Sequence, residues 1–125
     1  MLTQAVLIVE DQAITALHLK CLLQRYGYSH IIIADKGVKA FDLIENEIFS
    51  LALLDIKLAD DISGIEIAKK LKHKSIPFIF ISAFSNPENL KRAKELNPLG
   101  IIKKPIIEQT LTDLLNNFNY LSAYI

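Results

Sequence analysis

The sequence lacks an excess of either charge, a second cysteine and any long apolar run. Fourteen basic and fourteen acidic residues cancel in the 125-residue chain, so no overall field would attract nucleic acid or an anionic membrane. Because Cys21 is the single cysteine, an internal disulfide is excluded. No stretch approaches the roughly 18 apolar residues of a membrane-spanning helix, and the first residues lack the basic region of a signal peptide. We therefore expect a soluble, cytoplasmic protein with no direct nucleic-acid or membrane contact.

The composition favours one compact domain. A length of 125 residues suits one ordinary domain, and 51% hydrophobic residues suffice for a buried core. The sequence has no internal repeat, low-complexity segment or linker. We predict a single domain over residues 1–125, with a core from about residue 5 to 118. An apolar C-terminal tail would cover residues 119–125, and no output domain is expected in this chain.

Short apolar runs alternate with longer stretches of helical periodicity. Strands are predicted at 5–9, 30–34, 50–54, 78–81 and 100–102, and helices at 13–26, 37–47, 64–74, 87–96 and around 111–118. The run at 50–54 would fit a helix equally well. Five strand–helix units in order predict a parallel sheet, because parallel strands need crossover connections. The expected fold class is α/β, a doubly wound five-stranded parallel sheet with five helices in a three-layer sandwich, for which 2-1-3-4-5 is one common strand order.

Residues with chemical potential follow four of the predicted strands. In an open α/β sheet the functional site lies beyond the carboxyl ends of the strands. Glu10 and Asp11 follow the first strand, Asp55 the third, Ser82 the fourth, and Lys103 and Lys104 the fifth. Clustered carboxylates need a neutralising cation, and oxygen ligands suit a hard ion such as Mg²⁺. The pattern predicts phosphoryl transfer, with Asp55 as nucleophile, a lysine beside the phosphoryl oxygens and a serine hydroxyl as donor.

Each of these residues also has a simpler interpretation when it is taken alone. Asp11 is as often a helix cap or turn former, Glu10 would be a solvated loop acid, Ser82 a turn residue and Lys104 a surface lysine. The functional interpretation is favoured because all of them fall at the same end of different strands.

The order and spacing of these landmarks resemble the receiver family of response regulators, the CheY-like domains, over residues 5–118. The matching segments are Glu10-Asp11, Asp55 at the end of Leu-Ala-Leu-Leu-Asp, Gly64-Ile-Glu, Ser82-Ala83 and Lys104-Pro105. Each segment is a weak signal alone, whereas the five together are specific.

The resemblance implies a role for each matching residue. Asp55 would be the phosphoacceptor, Lys104 would pair with the phosphoryl group, and Ser82 would be the hydroxyl switch. Mg²⁺, or Mn²⁺ in its place, would be held by Glu10, Asp11, Asp55 and the backbone carbonyl of Lys57. The family also implies a cis peptide bond before Pro105.

One position departs from the family pattern. Receivers usually carry an aromatic residue where this chain has Ile101. The coupled movement of hydroxyl and aromatic ring that the family uses therefore cannot operate here in its usual form.

The resemblance implies a signalling protein rather than an enzyme with a separate substrate. The chain would accept a phosphoryl group from a sensor histidine kinase or a phosphotransfer protein and change conformation to control a partner or dimerisation. It would catalyse only its own phosphorylation and dephosphorylation. A degenerate receiver that binds partners without phosphate is the alternative.

Two rivals from other classes are weaker. A haloacid-dehalogenase phosphatase would place Asp-x-Asp after the first strand, and a nucleotide- or flavin-binding protein would need a glycine-rich turn there. The chain has Glu-Asp-Gln-Ala at that place.

Two apolar segments suggest contact surfaces. Ile14, Leu17 and Cys21 form a second apolar line on the first helix, which is either part of a broad buried face or a docking surface for a kinase. A homodimer contact could involve Tyr120, Leu121, Tyr124 and Ile125.

Overall fold

The computed structural model describes residues 2–58, 62–83 and 86–122, and the side chains of 4–58, 62–83 and 86–120. Strands and helices alternate along the chain. The strands are β1 (Leu2–Val9), β2 (Tyr28–Ala34), β3 (Leu51–Asp55), β4 (Phe78–Ser82) and β5 (Gly100–Lys103). The helices are α1 (Ala13–Tyr26), α2 (Gly37–Asn46), α3 (Gly64–His73), α4 (Pro87–Glu95) and α5 (Glu108–Ser122).

The five strands form one parallel sheet in the order β2-β1-β3-β4-β5. The predicted fold class is therefore confirmed. The ambiguous segment at 50–54 is a strand, because its neighbours β1 and β4 supply hydrogen-bonding partners on both sides. All five residues of β3 are buried, as expected for the central strand of a sheet that helices cover on both faces.

The core consists of two apolar layers, one on each face of the sheet. Successive side chains of a strand point to opposite faces, so Leu7 and Val9 of β1 enter one layer while Val6 and Ile8 enter the other. The first layer includes buried residues of α2, α3 and α4, and the second includes those of α1 and α5. Burial on both faces explains why the strands are continuous apolar runs without polar alternation.

Local signals in the sequence set two of the helix ends. Gly27 ends α1 with a φ of 128°, a backbone conformation that glycine adopts without steric cost. Asn86 caps α4, because its Oδ1 accepts hydrogen bonds from the backbone N–H groups of Glu88 at 3.0 Å and Asn89 at 3.2 Å. The predicted start of α4 at Pro87 is therefore confirmed.

The C-terminal helix is longer than the predicted segment around 111–118. It runs through Ser122 and so includes the start of the predicted apolar tail, whereas residues 123–125 lie outside the described part of the chain. Within that part, no helix combines the length and hydropathy needed to cross a membrane.

The broad buried face considered for the first helix is wrong. The exposed fraction is 85% for Ile14 and 57% for Leu17, and Cys21 is also exposed. The residues of α1 that face the sheet are Ala16, Leu19, Leu22 and Leu23. The second apolar line of α1 therefore lies on the surface.

Candidate functional site

The register of the sheet brings the predicted site residues to one edge. Val9 pairs with Leu54, so Glu10 and Asp55, which follow them, lie side by side at the carboxyl ends of β1 and β3. Across the next strand pair, Asp55 is opposite Ile81, and Ser82 follows that residue. The strand ends thus place the two carboxylates and the hydroxyl group on the same rim.

The side chain of Asp55 is held through both of its carboxylate oxygens. The backbone N–H of Lys57 donates to Oδ1 at 3.1 Å, and the Lys104 ammonium donates to Oδ2 at 2.8 Å. Asp55 is only 9% exposed, so these contacts replace much of the hydration that the carboxylate would have in water. One oxygen therefore faces a backbone donor and the other a cation.

Lys104 is positioned by the strand before it. Its backbone N–H donates to the carbonyl of Ser82 at 2.8 Å, which continues the pairing of Ser82 with Lys103. The Lys104 ammonium lies 2.8 Å from both Asp55 Oδ2 and Glu10 Oε1. Burial alone would lower the pKa of Lys104, but the two carboxylates outweigh it and raise the pKa above its usual value. Lys103 is exposed, so Lys104 is the lysine of this site.

Glu10 is the most deeply buried acid of the site, with a residue exposure of 2%. Burial raises its pKa from 4.5 to about 7, and the negative charge of Asp55 adds to that increase, while the Lys104 ammonium opposes it. The Lys104 ammonium, 2.8 Å from Oε1, is the cation that the Glu10 carboxylate contacts in the described part of the chain. Burial of this carboxylate costs more than the ammonium returns, which is why its pKa is raised in spite of the ion pair.

The donor set of this edge fits a small hard cation. Glu10, Asp11 and Asp55 each offer a carboxylate oxygen, and these oxygens lie within 4.8 Å of one another. All three candidate ligands are carboxylate oxygens, which Mg²⁺ prefers, and a divalent cation would offset the repulsion among them. The clustering of Glu10, Asp11 and Asp55 predicted from the sequence is therefore observed, whereas the ligand role of the Lys57 carbonyl stays a prediction.

A polar cavity of about 730 Å³ opens above these residues. Asp11, Asp55, Ser82 and Lys104 contribute to its wall, together with neighbours in the chain. Because a water molecule occupies about 30 Å³ in the liquid, this space exceeds what a few ordered waters need. The cavity can therefore admit a phosphoryl donor to the carboxylate of Asp55.

Three further polar residues line this cavity but were not among the predicted site residues. Gln12 comes from the start of α1, and Asn86 and Asn89 come from the start of α4. Asn86 was recognised in the sequence only as a helix cap, and Asn89 carried no motif. The sequence could have indicated these residues only by their position. The first turn of a helix that follows a strand lies at the same edge of the sheet as the carboxyl end of that strand.

Gly64 allows the chain to pass close to the backbone of Asp55. A Cβ atom at Gly64 would overlap the backbone carbonyl oxygen of Asp55 and would lie 2.8 Å from Ile56 Cα. The Gly64 N–H also donates to the carbonyl of Ile56 at 2.8 Å. The start of α3 therefore packs against the end of β3. Steric exclusion of any larger side chain explains why the Gly-Ile-Glu segment begins with glycine.

Two expectations about β5 and its flank have different outcomes. The Lys104–Pro105 peptide bond is cis, as predicted. Ile101 is half-buried and packs against the apolar layer that contains Phe80 and Ala93. Its effect on activation stays a prediction.

Comparison with known proteins agrees with this geometry. Residues 6–116 match the family model described as the response regulator receiver domain. The chain is 29% identical to sporulation initiation phosphotransferase F of Bacillus subtilis, over 94% of this chain and 95% of that protein. It is 29% identical to the transcriptional regulatory protein ZraR of Klebsiella oxytoca over 88% of this chain, but spans only 26% of that longer protein.

A solved structure of a receiver domain is also similar to this chain. The signal receiver domain of a modulated diguanylate cyclase from Desulfovibrio desulfuricans is 33% identical and covers 91% of both chains, with a TM-score of 0.83. The family match covers most of the chain, and the acids, the hydroxyl group and the lysine meet at one edge of the sheet. The chain belongs to the receiver domain family of response regulators, the phosphoacceptor modules of two-component signalling.

Proposed function

We propose that Asp55 is the phosphoacceptor and takes its phosphoryl group from the phosphohistidine of a sensor histidine kinase or a phosphotransfer protein. The observation that supports this most directly is the Lys104 ammonium, 2.8 Å from Asp55 Oδ2 at the wall of an open polar cavity. A cation in this place counteracts the negative charge that builds up on a transferring phosphoryl group.

The transfer forms one bond and breaks one bond. A carboxylate oxygen of Asp55 attacks the phosphorus atom, the P–N bond of the phosphohistidine breaks, and its electron pair leaves with the imidazole nitrogen. The product is an acyl phosphate on Asp55. Oδ2 is the better candidate for the attacking oxygen, because the Lys104 ammonium beside it would then also lie beside the transferred phosphoryl group.

Glu10, Asp11 and Asp55 would hold Mg²⁺, or Mn²⁺ in its place, with the backbone carbonyl of Lys57 as a further ligand. When bound, the ion supplies positive charge that offsets the clustered carboxylates and the phosphoryl oxygens. Lys104 then pairs with the phosphoryl group, and the hydroxyl of Ser82, at the cavity wall, donates a hydrogen bond to it.

The exposed face of α1 is the proposed docking surface for the phosphodonor. Ile14, Leu17 and Cys21 lie one turn apart along this face, which begins four residues after Glu10 and therefore beside the site. Uncharged apolar side chains at this spacing suit packing against a helix of the partner. A cytoplasmic location agrees with the free, exposed thiol of Cys21.

Other partner proposals have less support. The zero net charge does not oppose a homodimer, and Tyr120 is 63% exposed, but the side chains of Leu121, Tyr124 and Ile125 lie outside the described residues. The same neutral charge argues against direct binding of nucleic acid. We also propose that the chain acts on no substrate other than its own aspartyl phosphate.

The proposed function is tested by locating the modified residue chemically. Borohydride reduces an acyl phosphate to an alcohol and leaves free carboxylates unchanged, so reduction after treatment with acetyl phosphate and Mg²⁺ marks the acceptor. Peptide mapping should find the modified residue at position 55. Modification at Glu10 or Asp11 instead, or no reducible group in protein that has gained a phosphoryl group, would contradict the assignment.

A further inference from the structure

The first turn of α4 shares the cavity with the phosphoacceptor. Asn86 and Asn89 line the same space as Asp55, Ser82 and Lys104, although they lie on a different element from each of them. The two asparagines differ in how their side chains are used. The Oδ1 of Asn86 caps the helix, whereas the carboxamide of Asn89 makes no hydrogen bond within the described part of the chain.

Helix stability does not explain an asparagine at position 89. Asn86 already caps α4 and accepts from the backbone N–H of Asn89 at 3.2 Å, so the Asn89 side chain is not needed as a cap. A glutamate at this third helical position would return a hydrogen bond to the cap residue, but an asparagine does not do so here. Asn89 is half-buried and lines the cavity, so its carboxamide is placed to meet a ligand there.

The charge of the cavity suits a neutral donor at this place. Glu10, Asp11 and Asp55 already contribute three carboxylates, and a phosphoryl group adds further negative charge. An acid at position 89 would repel that group, while a carboxamide can donate its N–H bonds to a phosphoryl oxygen.

α4 is anchored near its C-terminal end. Ala93 is its only buried residue, and the Lys72 ammonium donates to the carbonyl of Leu96 at 3.2 Å, just after the helix. The first turn lies instead on the wall of the cavity. A pull on the first turn could therefore tilt the helix about its anchored end.

We propose that the carboxamide of Asn89 donates to the phosphoryl group on Asp55 and thereby draws the first turn of α4 toward the site. The proposal rests on the proposed function, since it needs a phosphoryl group on Asp55. It gives this chain a route from phosphate to α4 that does not require an aromatic residue at the position of Ile101. Asn89 contacts the phosphoryl group and positions α4, and it takes no part in bond making.

The experiment compares the wild type with Asn89→Ala and Asn89→Asp in the full chain, with Mg²⁺ and with or without acetyl phosphate. Amide hydrogen exchange is measured over Pro87–Glu95, and phosphorylation is followed by intact mass. Asn117→Asp is the matched control, because Asn117 is exposed on α5 and does not line the cavity. Alanine favours helix formation, so Asn89→Ala should fold while it removes only the donor.

We expect phosphorylation to slow exchange in the first turn of α4 by about tenfold in the wild type, the factor that corresponds to one hydrogen bond to a charged group. In Asn89→Ala this slowing should fall below about twofold, although the variant is still phosphorylated. Asn89→Asp should be phosphorylated about tenfold more slowly because of charge repulsion, while Asn117→Asp stays within about twofold of the wild type.

The outcomes separate this inference from the proposed function. If Asn89→Ala retains the wild-type slowing in α4, or if Asn89→Asp is phosphorylated as fast as Asn117→Asp, the role of Asn89 is overturned and the phosphoacceptor assignment stands. If the wild type gains no phosphoryl group from any donor, both are overturned.

Discussion

Replacement of Glu10 by glutamine measures the electrostatic cost of burying this carboxylate. Burial raises the pKa of Glu10 from 4.5 to about 7, so the folded protein keeps a proton that the unfolded chain releases. The group's contribution to stability is therefore full below about pH 4.5 and declines as the pH rises to about 7. This interval corresponds to roughly 3 kcal/mol, at about 1.36 kcal/mol for each pKa unit. Glutamine resembles the protonated acid, so Glu10→Gln lacks this decline.

The assay is urea unfolding of the wild type and Glu10→Gln between about pH 4 and pH 8, with a chelator present to exclude metal ions. The free energies of unfolding should be similar at the acidic end, and Glu10→Gln should be more stable by roughly 3 kcal/mol at the alkaline end. A difference that does not change with pH would refute the reasoning.

Glu45 provides a control of opposite sign. It is exposed and pairs with Lys70 and Lys74, and the hydrogen bond and charge of Lys70 lower its pKa. Its contribution is therefore present above its unfolded pKa and is lost as the pH falls. At alkaline pH, Glu45→Gln should be slightly less stable than the wild type, because it lacks this ion pair and an exposed ion pair is weak. It should not be more stable than the wild type there, in contrast to Glu10→Gln.

Three further substitutions test the cation, the backbone support and the docking surface. Lys104→Met should bind Mg²⁺ roughly tenfold more tightly than the wild type, because the substitution removes a positive charge that competes with the ion. Binding is measured by calorimetry at a pH above the pKa of Glu10. The same variant should be phosphorylated much more slowly. Gly64→Ala should lose about 3 kcal/mol of unfolding free energy in urea, because its Cβ overlaps the Asp55 backbone. Leu17→Glu should slow transfer from the cognate kinase at least about tenfold but leave labelling by acetyl phosphate unchanged, as expected for an exposed contact residue.

Each of these substitutions has a control or a contradicting result. Unchanged or weaker Mg²⁺ binding in Lys104→Met would show that the ammonium does not compete with the ion. Gly100→Ala should cost less than Gly64→Ala, because its Cβ would meet only the movable end of the Leu114 side chain. Val38→Glu, at an exposed apolar position of α2, should not affect kinase transfer. If Leu17→Glu slows both donors equally, the docking interpretation fails.

The sequence predicted those parts of the fold that depend on patterns along the chain. Continuous apolar runs such as 5–9 indicated strands covered on both faces, and Gly27 and Asn86 marked helix ends by their own backbone chemistry. The alternation of strands and helices, together with the handedness of crossovers, predicted a doubly wound parallel sheet, for which 2-1-3-4-5 is one common strand order. The site residues followed because each comes directly after a strand, and parallel strand ends share one edge.

Other features depend on how elements pack, which a linear pattern does not contain. Ile14 and Leu17 have the spacing of a helical stripe, but only one stripe of α1 can face the sheet, and Leu19 and Leu23 occupy it. The position of Asn89 at the cavity depends on the direction in which α4 leaves β4. The pKa of Glu10 depends on burial and on its distance from Asp55 and Lys104, so the sequence could supply the charges but not their energies.

Intact-mass spectrometry after incubation with Mg²⁺ and acetyl phosphate tests the central claim most directly, with Asp55→Ala and metal-free wild type measured in parallel. The account predicts that the wild type gains one phosphoryl group in the presence of Mg²⁺, and that Asp55→Ala and the metal-free sample gain none. A similar gain in Asp55→Ala would contradict the assignment of Asp55 as the phosphoacceptor, and a similar gain without metal would contradict the role of the carboxylate cluster.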